Sequence, residues 1–196
     1  MAEPALKQDW TLESYLAWEQ EQPERWEFWG GRPRLMTGGT QAHSAIGVNL
    51  TTYLKLALRG SPCRSHGSDL KVITALDTSR YPDALIDCAP FDPRRLHAEQ
   101  PVVVFEVLSD GSKAVDLNNK LLEYGATSVI QQYVLIYQDM LRVVVWGRDA
   151  AGHLVPERIC DDIEGAIDLR VGISLRMSEI YDEVSFSRRR EPENDT

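Results

Sequence analysis

Cysteine is scarce: three in 196 residues, Cys63, Cys88 and Cys160, with no CxxC pair. That spacing excludes the usual zinc ribbons, makes a disulfide framework unexpected, and points to a reducing cytoplasm. Cys88 lies in an apolar segment and is expected to be a buried, inert thiol. No apolar run approaches the roughly 20 residues a membrane span requires. The opening MAEPALKQDW has no apolar stretch, so a secretory leader is not expected. Positive charge is also short, with 21 Lys and Arg against 30 Asp and Glu, a net charge of −9. A uniformly basic coat is thereby excluded. Any affinity for a phosphate backbone must come from basic residues gathered on one face, for which Arg32, Arg34, Arg59, Arg64, Lys71 and Arg80 are the candidates.

The chain is 43% hydrophobic, enough for one domain with a substantial core. The expected organisation is a loose arm over 1–9, a single domain over 10–186, and a polar, disordered tail over 187–196. Thr11 is suited to cap a helix running through Trp18. Gly30-Gly31 marks a turn after a short aromatic segment. Between His43 and Arg59, the residues Ile46, Leu50, Tyr53, Leu54, Ala57 and Leu58 repeat with the helical period, and Gly60 and Pro62 end the pattern. Strands are predicted over 69–74, 84–88, 101–108, 132–137, 141–146 and 154–159. A helix is expected over 116–124, and Ser178 is placed to cap a last one over 179–184. Helices interspersed with such strands predict an α/β fold with a mixed sheet.

The chemistry concentrates in SRYPDALIDC and VVVFEVLSDGSKAVDLNNK. Asp83 opens one predicted strand, and Glu106 interrupts the apolar run of the next. A carboxylate there loses several kcal/mol of solvation unless it is paired, protonated or bound to a cation. Neighbouring strands lie about 4.8 Å apart, so two such carboxylates can share one divalent ion if the strands pair. Glu106 equally suits a buried ion pair, and Asp83 a turn after Pro82.

PD, a hydrophobic strand, then E-x-hydrophobic resembles the PD-(D/E)XK nuclease superfamily. The chain is closer still to its branch of short bacterial proteins described as restriction endonucleases. LESYLAWEQEQPERWEF, RLMTGGTQAHSAIGVNL, RGSPCRSHGSDLKV, YPDALIDC, FEVLSDGSKAVDLNNKLLEY, QQYVLIYQDMLRVVVW and SEIYDEV carry that resemblance in order along nearly the whole chain. It implies a restriction-endonuclease-like fold: a mixed central β-sheet flanked by helices, with additional antiparallel strands. It also implies DNA phosphodiester hydrolysis dependent on Mg²⁺, with Mn²⁺ as substitute, and Asp83 and Glu106 as metal ligands. Leu108 stands where the superfamily often has lysine. Lys120 matches the branch's basic position and is the expected replacement, with Lys113 in reserve; Asp116 and Lys120 also suit an ordinary helix pair. Glu27, His43 and Asp69 match auxiliary positions. Cutting both strands needs two active sites, which a homodimer supplies. The alternative is a catalytically inactive module of the same fold that binds nucleic acid or a partner protein. The chain departs from the branch at WGGRP, at DGSK after EVLS, and at Tyr137.

Overall fold

The computed structural model describes residues 9–108 and 114–186, apart from the side chains of 114–116. The arm over 1–8, Lys113 and the tail over 187–196 lie outside the described residues. The elements in chain order are α1 (Leu12–Glu19), β1 (Trp26–Trp29), β2 (Arg32–Leu35), α2 (Gln41–Ala57), β3 (Arg64–Gly67) and β4 (Lys71–Ile73). Next come β5 (Ser79–Arg80), β6 (Ala84–Asp87), β7 (His97–Ala98), β8 (Pro101–Leu108) and α3 (Ala114–Ala126). The chain continues with β9 (Gln132–Tyr137), β10 (Val143–Arg148), β11 (Leu154–Cys160), β12 (Ala166–Leu169), β13 (Ile173–Arg176) and α4 (Met177–Ile180).

A six-stranded mixed sheet, ordered β11-β10-β9-β8-β6-β3, forms the centre. The apolar run of β8 takes an inner place, antiparallel to β6 and parallel to β9. A parallel pair needs a crossover, and α3 provides it. Successive β8 side chains alternate between faces. Val103, Phe105 and Val107 join Ile46, Leu50 and Leu54 of α2 and its C-cap Leu58 in one core, while Val104 and Leu108 pack with Tyr124 of α3 and Tyr133 in a second. Glu106 therefore points to the α3 side. A five-stranded sheet, β2-β1-β5-β4-β7, carries the N-terminal half, and a third cluster of Tyr15, Trp26 and Phe28 joins α1 to it.

The α2 stripe accounts for its packing, except that Ala57 is exposed. Leu50 is fully buried, so Leu50→Ala is expected to cost about 2–5 kcal/mol. Urea unfolding would show this; a loss well under 1 kcal/mol would contradict the packing described. Thr11 caps α1 in a reciprocal pair with Ser14, and Gly30 and Gly31 turn the β1–β2 hairpin with φ of 60° and 69°, the left-handed region glycine tolerates.

Four expectations are corrected. Cys63 and Cys88 form a disulfide, leaving Cys160 as the free, buried thiol. The register Arg64↔Asp87 between β3 and β6, continued by one position, sets the two cysteines opposite each other. Their distance along the chain hid that adjacency, and the bridge removes the ground on which a reducing cytoplasm was expected. Lys71 and Arg80 are not on a basic face: both are buried, Lys71 against Glu19 and Arg80 between Glu27 and Glu123. Ser178 does not cap the last helix, which begins at Met177, two residues before the expected start, with Arg176 at its cap and no side-chain cap bond. Finally, β12 and β13 form a two-stranded sheet that was not anticipated. Among the described residues no helix is long and apolar enough to cross a membrane.

Candidate active site

The β6–β8 register pairs Ala84 with Phe105. One step further, at the mouth of the sheet, Asp83 stands opposite Glu106. Directly opposed residues of an antiparallel pair share a face, with Cβ atoms about 4.5–5.5 Å apart. The two carboxylates are held differently. Asp83 Oδ2 accepts the Val107 N–H at 2.7 Å, and its Oδ1 lies 3.3 Å from His43 Nε2. Glu106 Oε1 receives Lys120 Nζ at 2.9 Å and the Tyr124 hydroxyl at 3.1 Å.

One face of α3 makes this possible. Lys120, Glu123 and Tyr124 are spaced i, i+3 and i+4 and so project together. Lys120 and Tyr124 reach Glu106, while Glu123 receives the Arg80 guanidinium through Nε at 2.6 Å and Nη2 at 2.9 Å. Arg80 Nη1 turns to Glu27 Oε2 at 2.9 Å, and Glu27 Oε1 accepts the Tyr81 N–H at 3.1 Å and lies 4.0 Å from Lys120 Nζ. The charges alternate through the protein: Glu123, Arg80, Glu27, Lys120, Glu106. Asp83 at the end leaves four carboxylates against two permanent cations.

Burial pushes the Glu106 carboxyl up from 4.5 to about 7. The Lys120 charge opposes this, while Asp83 and Glu27 reinforce it. The hydrogen bond with Asp83 raises the His43 pKa above its usual value, against the effect of its burial. Local structure fixes that imidazole. Thr40 caps α2 by accepting the His43 N–H at 3.1 Å, and its hydroxyl donates to Gln138 Oε1 at 2.6 Å, which ties the helix start to the β9–β10 turn.

Asp83 and His43 line an open cleft of about 680 Å³, walled by Arg25, Thr37, Gly67 and Ser68 among others. Of the residues singled out from the sequence, Asp83, Glu106, Lys120, Glu27 and His43 thus come together. Asp69 does not join them: it is largely exposed and pairs with Arg25. Arg80, Glu123 and Tyr124 belong to the cluster without any sequence signal that marked them as such. The i, i+3, i+4 spacing of Glu123 and Tyr124 after Lys120 was the trace available, and Arg80 had none.

Among the described residues no three His, Cys, Asp or Glu side chains converge into a metal cage. The donor set is the facing carboxyl pair of Asp83 and Glu106. That fits Mg²⁺ or Mn²⁺, which accept one or two carboxylates and fill the remaining positions with water and phosphate oxygens.

A mixed sheet with helices on both faces makes this an α/β protein, with an acidic pair and a helix-borne lysine at the mouth of the sheet. The chain belongs to the Uma2 family, described as "Putative restriction endonuclease", which matches residues 12–178. It is 31% identical over 179 residues to the uncharacterized protein slr1290 of Synechocystis, covering 89% of this chain and 92% of that one. A second Synechocystis protein, sll1609, is 27% identical over 137 residues, covering 68% and 77%. The crystal structure of a "putative nuclease belonging to DUF820" from Anabaena variabilis superposes with a TM-score of 0.69 at 18% identity, covering 87% of this chain and 97% of that one. The two share the fold.

Proposed function

We propose that this chain is an endonuclease that hydrolyses DNA phosphodiester bonds with Mg²⁺, or Mn²⁺ in its place, and that it acts as a homodimer. The observation that carries this reading is the Lys120 ammonium, 2.9 Å from Glu106, beside an Asp83 that faces both Glu106 and an open cleft. Asp83 and Glu106 would hold the cation, which supplies Lewis-acid stabilisation of charge on the phosphate and lowers the pKa of the attacking water. Lys120 orients that water by hydrogen bonding and adds positive charge next to the developing oxyanion. His43, on the cleft side of Asp83, donates to a phosphate oxygen of the bound strand. Glu27 and Arg80 hold Lys120 in register. Two copies supply one such centre for each strand of a duplex.

The test is incubation of purified, folded protein with supercoiled, linear and single-stranded DNA in Mg²⁺ and in Mn²⁺. Nicking or cutting with either ion supports the reading; none, with every DNA form, overturns it. The net charge of −9, with Lys71 and Arg80 withdrawn into the interior, favours a second reading, a non-catalytic module of the same fold. Calorimetric titration with Mn²⁺ separates the two, because a module has no cation site that depends on Glu106.

The same titration carries a pH signature. The Glu106 carboxyl is raised to about 7, so below that pH the protonated acid predominates and competes with the cation. Protonated His43 beside Asp83 acts in the same direction. Mn²⁺ affinity should therefore rise about tenfold per unit between pH 5.5 and 7 and level off above it. An affinity flat from pH 5.5 to 8 would contradict the site described, whose other facing groups are Asp83, Glu27, Lys120 and Tyr124.

A further inference from the structure

A second pocket, of about 250 Å³, lies between the edge strand β3 and the 88–97 segment, and Arg64, His66, Phe91, Arg95 and His97 line it. We propose that it is a nucleotide subsite. It would take one nucleotide of the DNA strand a few positions from the cleaved bond, with the base against Phe91 and Arg64 and the phosphate against Arg95 and the two histidines. This rests on the endonuclease reading above.

Position supports the assignment first. The pairs Arg64↔Asp87 and His66↔Leu85 put Arg64 and His66 on the sheet face that Leu85 and Asp83 share by strand alternation. The four steps from Asp83 to Asp87 along β6 span roughly 13 Å. The next residues of β3 and its turn, Gly67 and Ser68, line the cleft at Asp83. A strand engaged at Asp83 therefore crosses the open edge of β3 and meets this pocket.

Chemistry supports it second. Phe91 is 65% exposed and its ring centroid lies 5.4 Å from the Arg64 guanidinium carbon, a cationic–aromatic pair of the kind on which bases stack without regard to sequence. His66 is half-buried, and burial lowers its pKa. Of the nearby carboxylates, the half-exposed Glu99 pairs with Arg95 at 3.0 Å, and an incoming phosphate would take its place. Asp87 accepts from the N–H groups of Ala89, Glu99 and Gln100, and Asp92 from that of Arg94. Those bonds, with the Cys63–Cys88 disulfide, fix the segment before any ligand arrives.

The experiment measures binding of a fluorescent single-stranded oligonucleotide to the full chain without divalent cation, alongside cleavage with Mn²⁺. Phe91→Ala and Arg64→Ala should each weaken binding about fivefold or more. Both side chains are exposed, so circular dichroism should show an unchanged fold. In a parallel titration with a deoxynucleoside monophosphate, the His66 and His97 imidazole resonances should shift. If the wild type binds and cuts DNA while both variants bind as it does, the subsite is refuted and the endonuclease reading stands. Shifts matched by inorganic phosphate alone refute the base contact. If the wild type neither binds nor cuts, the endonuclease reading itself has failed and the subsite with it.

Discussion

Asp83→Ala and Glu106→Ala should each lower Mn²⁺-dependent DNA cleavage by about a thousandfold or more, read as initial nicking rates on a plasmid. Metal-assisted stabilisation of a phosphoryl transition state contributes several kcal/mol, and each 1.36 kcal/mol is a factor of ten in rate. Neither carboxylate would act alone, since each substitution would remove half of one proposed donor pair. The double variant should therefore be no worse than the singles, as expected for groups that act as a unit. Lys120→Met retains the pair and should lose about a hundredfold, in turnover rather than in substrate affinity. Lys120→Arg preserves the charge but not its compact geometry, and should recover only part of it. Full activity in Glu106→Ala would remove the carboxylate pair from the chemistry.

Arg80→Met should lower stability by about 3–5 kcal/mol, because it leaves the buried Glu123 carboxylate without its cation and Glu27 with only the more distant Lys120. Arg80 is itself fully buried, with hydrogen bonds of 2.6 to 2.9 Å to those two acids. In a chain of this size each kcal/mol lowers the melting temperature by about 2–4 °C, so the fall should be roughly 6–20 °C by calorimetry. Arg80→Lys keeps the charge and loses the forked geometry, and should fall between the two. A drop under about 2 °C for Arg80→Met would mean that the two acids find other compensation. Glu123→Gln tests the same network from the helix side and should cost less, since it leaves a neutral amide near the arginine instead of an unpaired charge.

The contrast between these two sites shows which features a single sequence exposes. The run PVVVFEVL has few alternatives to an inner strand, and β8 spans it from Pro101 to Leu108. Glu106 was conspicuous there because a carboxylate in such a run needs an explanation. The α2 stripe was legible for the same reason, a local period imposed by one buried face. Arg80 sits in SRYPD, a segment whose neighbours give no hint of burial, and its partners Glu27 and Glu123 lie far away on either side in sequence. Lys71, Tyr124 and the Cys63–Cys88 pairing were hidden likewise. Their environment is set by which strands become neighbours, and that is decided by packing across the whole domain. The short β12–β13 hairpin carries too few residues for its alternation to stand out.

The ammonium at the centre of the cluster comes from the crossover helix, not from the strand that carries Glu106. Position 108 is thereby released to apolar packing, and Leu108 is 7% exposed within the second core. In exchange, the lysine depends on helical phase. One residue inserted ahead of Lys120 within α3 would swing it about 100° around the axis. The same turn would carry Glu123 and Tyr124 away from Arg80 and Glu106, although β8 and β9 could still lie side by side. Surface turns can lengthen without disturbing that phase, but within α3 the residues ahead of Lys120 admit changes only in whole turns.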